Sequence, residues 1–333
     1  MSQTKRGLSM RALGAMAVLW GMLILSSCGS NLPKNCPPEC LGAQLYRRDL
    51  VGVDFEGADL RNAILTRARL NRANLRDSDL SGADLSYASL ADADLQGAIL
   101  IGANLTGADL SSAALDEANL SGANLTGAIL TGMDLRHVTL RAAVLVDATL
   151  IGANLRGADL RGVNLGGADL RNADLSWAYM KGANLAAANA RDPGSDLRGA
   201  LLIGVILTGG NLSGSNLSGA SLERANLDGI SLQSMNVIGG AFADANLSNA
   251  DLRDALLDGA DFRRARLVNA NLIGASLKGA QLQQSDLSES QLSAVQDDQE
   301  VSANLDGAKY DAQTQWPTGF TPPNTATMVG GSG

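Results

Sequence analysis

Aromatic residues supply only 3% of this 333-residue chain, too few rings to furnish the core of a globular protein of that length. Histidine occurs once, as His137. A nucleophilic triad needs a histidine held by a carboxylate beside a serine or cysteine, and the neighbours of His137 follow the same beat as the rest of the chain. Past the N-terminal segment only two cysteines, Cys36 and Cys40, and the one histidine remain, too few for a zinc site. The glycines mark a five-residue rhythm and never form a strand–turn–helix phosphate loop with its lysine. Carboxylates recur throughout the repeats, and repetition of that kind is no sign of an acid–base pair. The chain is expected to be no enzyme and to need no cofactor or metal. Lys and Arg number 26 against 34 Asp and Glu, a net charge of −8, which speaks against direct binding of nucleic acid.

What the chain has instead is one phrase, Ala-(Asp/Asn)-Leu followed by two small or polar residues, as in Ser81-Gly82-Ala83-Asp84-Leu85. A large apolar residue falls on every fifth position from Leu45 to Leu185, with only Phe55 and Met180 replacing leucine. On an α-helix that period would carry the leucines around every side, and on a long strand it would alternate them between faces. The second apolar position lies two residues earlier, at Ala58, Ala63, Ala68, Ala73 and then Ala83 through Ala128. Residues i−2 and i share a face of an extended segment, so each unit reads as a very short strand with Ala and Leu inward. The two residues that follow must turn the chain, and glycine is frequent there. Strand, corner, strand, corner at equal spacing winds into a solenoid whose successive coils hydrogen-bond to one another.

The repeated A-(D/N)-L-x-x phrase resembles the pentapeptide-repeat family over roughly residues 41–312. The resemblance implies an all-β fold, a right-handed quadrilateral β-helix with twenty residues per coil, where the period alone also allows three sides. At about 4.8 Å per coil, about twelve coils would make a rod roughly 60 Å long. Some members of that family resemble duplex DNA in width and acidity and protect or inhibit DNA gyrase, which makes a gyrase-directed DNA mimic the alternative reading of function.

Residues 1–27 read as an export signal. Lys5, Arg6 and Arg11 precede an apolar run, Ala12 to Leu25, too short to span a bilayer comfortably. The run ends Leu25-Ser26-Ser27-Cys28, which resembles the bacterial lipobox; the resemblance implies lipidation of Cys28 and a chain beginning there. An uncleaved anchor or a plain signal peptide is the other reading. Gly29, where an Asp would imply retention at the inner membrane, implies the outer membrane in a Gram-negative cell. Removal of residues 1–27 takes three cations and no carboxylate, leaving 23 against 34 and a net charge of −11. Residues 28–40 then form a tether and an N-terminal cap. In an oxidising compartment Cys36 and Cys40 suit one small disulfide loop pinning the entry to the first coil, or a free pair capping it.

Along the tube, Met133, Val138 and Val163 enlarge the usually small inward site, so a neighbouring side must yield. Pro193-Gly194 is a two-residue insertion, read as a corner bulge, after which Leu197 resumes the beat. Phe242 and Phe262 lie twenty residues apart and are expected to stack inside. Tyr179 and Leu201, outward and one coil apart, form with Ile203 an apolar stripe suited to a partner or a second copy. Arg136 and Arg156 stack on one side, and Arg141, Arg161 and Lys181 on the next, a basic edge on an acidic rod. The beat fades over residues 293–301. Tyr310, Trp316 and Phe320 are expected to fold over the open end, in a stretch similar to a closing segment of many pentapeptide-repeat proteins, and the tail from Thr321 is expected to be disordered. Together these features predict a lipid-anchored scaffold of the cell envelope that contacts an unidentified protein partner, with self-association into longer rods as a further alternative.

Overall fold

The computed structural model describes residues 32–329, apart from 187, 191–193, 209, 214, 297 and 298. Residues 1–27, read as an export signal, and Cys28 therefore lie outside the described residues, as does Pro193.

Each unit contributes one parallel β-bridge, and bridges join residues twenty apart: Asp84 to Asn104, Asn104 to Asn124, Asn124 to Val144. A coil thus contains four five-residue sides. The amide of a leucine typically donates to the coil above, as Leu85 does to Asn104 at 2.7 Å, while the amide before it donates to the coil below, as Asp84 does to Ala63 at 2.9 Å. Inside, Leu45, Leu50, Phe55 and Leu60 have no exposed surface, and the same holds coil after coil. Each buried leucine contributes about 1.5–3 kcal/mol, and no single coil could bury its own. Phe242 and Phe262 stack with ring centroids 4.8 Å apart and planes inclined by 8°.

The residue before each leucine also builds the corner. Its side-chain oxygen accepts the backbone N–H two residues on, as Asp79 Oδ1 does from Ser81 at 2.9 Å and Asn119 Oδ1 from Ser121 at 3.0 Å. Asp and Asn are short enough to make this local bond, which explains their place in the phrase. The second corner residue takes a left-handed backbone, often glycine but also Tyr87 at φ 56° and Trp177 at φ 62°.

Three features differ from expectation. The register shifts more than once: bridges span 22 residues at Asp174–Asp196, 28 at Ser276–Asn304 and 29 at Asp286–Gln315. The first shift leaves the ladder unbroken, with buried Ser195 and Ser215 donating to Leu170 O and Ala190 O. At the second, the fading stretch forms an antiparallel hairpin of β1 (Ser293–Gln296) and β2 (Gln299–Ser302). The tail expected to be disordered is instead paired through residue 329. In it β4 (Thr327–Met328) lies parallel to β3 (Lys309–Tyr310), with Thr327 N donating to Ala308 O and Val329 N to Tyr310 O, both at 2.7 Å. The last coil leaves backbone groups with no coil above, and the tail pairs with them. Trp316 sits between Tyr310 (5.6 Å, edge-on) and Phe320 (5.3 Å), all three packed against the core. At the other end Cys36 and Cys40 are joined, with Cα atoms 4.8 Å apart.

Among the described residues the ladder is continuous between 39 and 286 except at two places. No bridge joins Ala114 to Asp134 or Thr139 to Asp159. These gaps flank the Arg136-His137 corner on either side, next to the two bulky inward residues Met133 and Val138. Alanine occupies the corresponding sites in the adjacent coils, at Ala113 and Ala153 for Met133 and at Ala118 and Ala158 for Val138. In an interior packed at crystalline density the added volume spreads the coils, and the hydrogen bonds between them part.

Candidate interaction surface

One face of the coil runs from the corner 136–137 to the corner 141–142, and the next coils repeat it at 156–162, 176–182 and 198–204. Its centre carries Thr139, Asp159, Tyr179 and Leu201. Tyr179 bridges directly to Leu201, and they are 52% and 37% exposed. Ile203 lies on the following corner and is half-buried. Arg136 and Arg156 stand on the corner that opens the face, and Arg141, Arg161 and Lys181 on the corner that closes it, all exposed. Read from the sequence these two columns belong to successive sides. Folding makes them the two rims of one face, with the apolar stripe between them.

Charge on this face is partly paired. Arg136 makes a two-pronged contact to Asp134, with Nη2 2.6 Å from Oδ2, and Arg198 does the same to Asp196. Arg161 pairs likewise with Asp159 through Nε at 2.7 Å. The hydrogen bond from each arginine holds its aspartate below the ordinary carboxylate range, although partial burial opposes this. The geometry comes from the local run Asp-Leu-Arg, which puts the guanidinium beside the carboxylate two residues earlier. Among the described residues no carboxylate lies within 4.0 Å of Arg141, Arg156 or Lys181.

Sequence reasoning passed over Trp177, which is 59% exposed on the same corner as Arg136 and Arg156, in the column of His137 and Gly157. The available signal was an outward ring in a chain with three tryptophans. Its ring lies over Gly199 of the next coil: a Cβ there would sit 2.5 Å from Cε3 and Cζ3. Gly199 also has φ +64°, a left-handed backbone that disfavours a side chain. Gly199→Ala is expected to cost about 1–2 kcal/mol from the backbone alone and to lift the indole from its seat. Urea unfolding and a changed Trp177 emission would register both effects.

Two shallow recesses flank His137. One, of about 410 Å³, is lined by Ala113, Ala114, Leu115, Asp116, Asp134, Arg136 and His137. The other, of about 600 Å³, is walled by Arg136, His137, Arg156, Gly157 and Trp177. Among the described residues no group of His, Cys, Asp and Glu is placed to hold a metal ion.

A family model described as pentapeptide repeats matches eight times, over residues 39–77, 78–115, 103–141, 118–157, 148–186, 195–233, 245–284 and 265–296. Among solved structures, HetL from the cyanobacterium Nostoc sp. strain PCC 7120 is a pentapeptide repeat protein involved in regulating heterocyst differentiation. It is 34% identical, with 66% of this chain and 89% of that one covered, at a TM-score of 0.36. The pentapeptide repeat protein Rfr23 from Cyanothece 51142 is 35% identical over 30% of this chain and 63% of its own, at a TM-score of 0.27. Full-length QnrB1, a plasmid-mediated fluoroquinolone resistance protein, is 16% identical over 64% of this chain and 92% of its own, at a TM-score of 0.29. No curated protein sequence matches the chain.

Proposed function

The chain belongs to the pentapeptide-repeat family, and we propose that it serves as a lipid-anchored, non-catalytic interaction rod of the cell envelope. In this reading the winding is right-handed, about twelve coils long at about 4.8 Å each. Cys28 carries the lipid, and the short segment to Cys36 tethers the first coil to the membrane surface. The observation that carries the binding role is the face between the two basic rims. It concentrates Arg136, Arg141, Arg156, Arg161 and Lys181 around the exposed Tyr179–Leu201 pair on a chain whose net charge is −8. Tyrosine and arginine are the residue types that dominate contact energies at protein interfaces, and a rim of arginine suits a partner with an acidic border.

Replacement of Cys28 by alanine in the full-length protein tests the anchor. The native protein is expected in the detergent-extracted membrane fraction, with a lipid mass adduct at Cys28 and residues 1–27 removed. The variant is expected to lose the adduct and leave that fraction. A native protein that stays soluble with residues 1–27 intact defeats the proposal.

The alternatives draw less support. A DNA-like rod needs open negative charge, yet Asp59, Asp134, Asp159, Asp169, Asp196, Asp251 and Asp261 each hold an arginine two residues on. Growth by end-to-end stacking needs an unpaired final coil, and β4 with the Tyr310, Trp316 and Phe320 cluster occupies that end.

A further inference from the structure

We propose that the opened seam around His137 is a binding site for a small anionic saccharide, a sugar bearing one phosphate or carboxylate. Three observations meet there. First, among the described residues between 39 and 286 the ladder of bridges is interrupted only at this corner. The amides of Leu115, Asp134, Leu140 and Asp159 make none of the coil-to-coil bonds that their counterparts make one coil away, such as Leu135 to Asn154 O at 2.8 Å and Leu160 to Tyr179 O at 2.9 Å. Backbone polar groups left without a partner take water or a ligand. The cause is local and traceable, since Met133 and Val138 stand on successive sides of one coil where the coils directly above and below use alanine.

Second, the 600 Å³ recess above His137 has no carboxylate in its wall. Among the described residues Arg156 has none within 4.0 Å, and Arg136 gives Nε and Nη2 to Asp134 and keeps Nη1. The His137 ring makes no hydrogen bond among the described residues, and Gly157 leaves the floor open, with nothing within 4 Å of where its Cβ would stand. These donors line one recess, a setting in which arginine serves a single anionic group best. Asp116 and Asp134 below and Asp196 above lower the surrounding field. That limits the site to a small ligand with one anionic group and turns away a polyanion.

Third, Trp177 is held by its contact with Gly199 and still presents more than half its surface to solvent. A fixed apolar ring beside charged donors suits a pyranose, whose C–H face lies on the indole while its hydroxyls and anion reach the arginines and His137. An acidic peptide satisfies the arginines and leaves the indole face uncovered. A nucleotide fills both requirements and is the competing outcome of the test.

The experiment is calorimetric titration of the full-length protein with glucosamine 6-phosphate and galacturonic acid, against maltose, inorganic phosphate and AMP. At least one anionic sugar is expected to bind about tenfold more tightly than maltose or inorganic phosphate. Trp177→Gly and Arg156→Gln, both on exposed positions and checked by an unchanged circular dichroism spectrum, are each expected to weaken it about tenfold. Met133→Ala combined with Val138→Ala is expected to close the seam. Hydrogen exchange at Leu115, Asp134, Leu140 and Asp159 would then slow to the rate of neighbouring amides, and sugar affinity would drop. No binding at millimolar sugar, tighter binding of AMP, equal binding of maltose, or affinity indifferent to Trp177→Gly and Arg156→Gln overturns the proposal. The surface variants keep the test decisive if the double core variant fails to fold.

Discussion

Phe242→Ala is expected to lower stability by about 3–5 kcal/mol, among the largest losses available to a single side chain in this protein. The ring is fully buried and stacked on Phe262, so truncation leaves a void that coils on a shared hydrogen-bond ladder cannot close by collapsing inward. Part of the loss belongs to the pair itself: a double-mutant cycle with Phe262→Ala should return a coupling of about 0.5–1.5 kcal/mol. The site is also filled from the other side. Gly240 occupies the inward position usually held by alanine, and a Cβ there would lie 2.9 Å from Phe242 Cε2 and from Val237 Cγ1. The methyl group absent at 240 makes room for the larger ring at 242. Gly240→Ala is therefore expected to destabilise by about 1–3 kcal/mol through overpacking, although alanine is the preferred residue at that position elsewhere. Urea midpoints for the single and double variants check these values, and a Phe242→Ala loss below about 1 kcal/mol would contradict a continuous packed interior.

Acid is expected to weaken the rod within a narrow window. The hydrogen bond from Arg61 lowers Asp59 from its ordinary value of 3.8 to about 2. The arginine two residues on likewise holds Asp134, Asp159, Asp169, Asp196 and Asp251 below the usual range. Asp84 is lowered too; there burial pushes the pKa up, and bonds from Ser86, Thr66 and Asn104 together outweigh it. Each folded-state value lies below the unfolded one, so the folded state binds fewer protons as acid is added. The stabilisation is complete above about pH 4 and is lost as the pH falls through the folded values toward about pH 2. Thermal melts should give a near-constant Tm from about pH 5 to 8 and a steep decline below about pH 4. Because the pairs are largely exposed, about 1 M salt should flatten the decline. A Tm unchanged down to about pH 2 would mean that these pairs contribute nothing to folding.

The corner chemistry shows how much of this molecule is legible in one dimension. That Leu85 points inward and Asp84 outward follows from an extended unit of alternating side chains, and that residues twenty apart stack follows once four equal sides close a coil. The phrase did not disclose that Asp84 also accepts the Ser86 amide at 3.0 Å, since a polar residue before each leucine is equally compatible with plain solvation. In the same way Asp-Leu-Arg carries a signal for an ion pair that only the tight turn makes productive. The hairpin at 293–302 was visible as a lost beat, and its antiparallel pairing was not.

For this chain the covalent period alone settled which residues are inside, because burial in a solenoid is decided within each five-residue unit and repeated. What only the folded molecule decided is whatever depends on neighbouring coils at once. Arg136 and Arg141 border one face because a corner belongs to two sides, a relation that linear stacking columns do not express. The ladder opens beside Met133 and Val138, which enlarge two successive sides of one coil, and holds at Val163, which stands between Ala158 and Ala168 on the sides before and after it. The tail from Thr321 is ordered through residue 329 because the last coil has backbone donors and acceptors to satisfy, a requirement that resides in the partner and not in the segment that meets it.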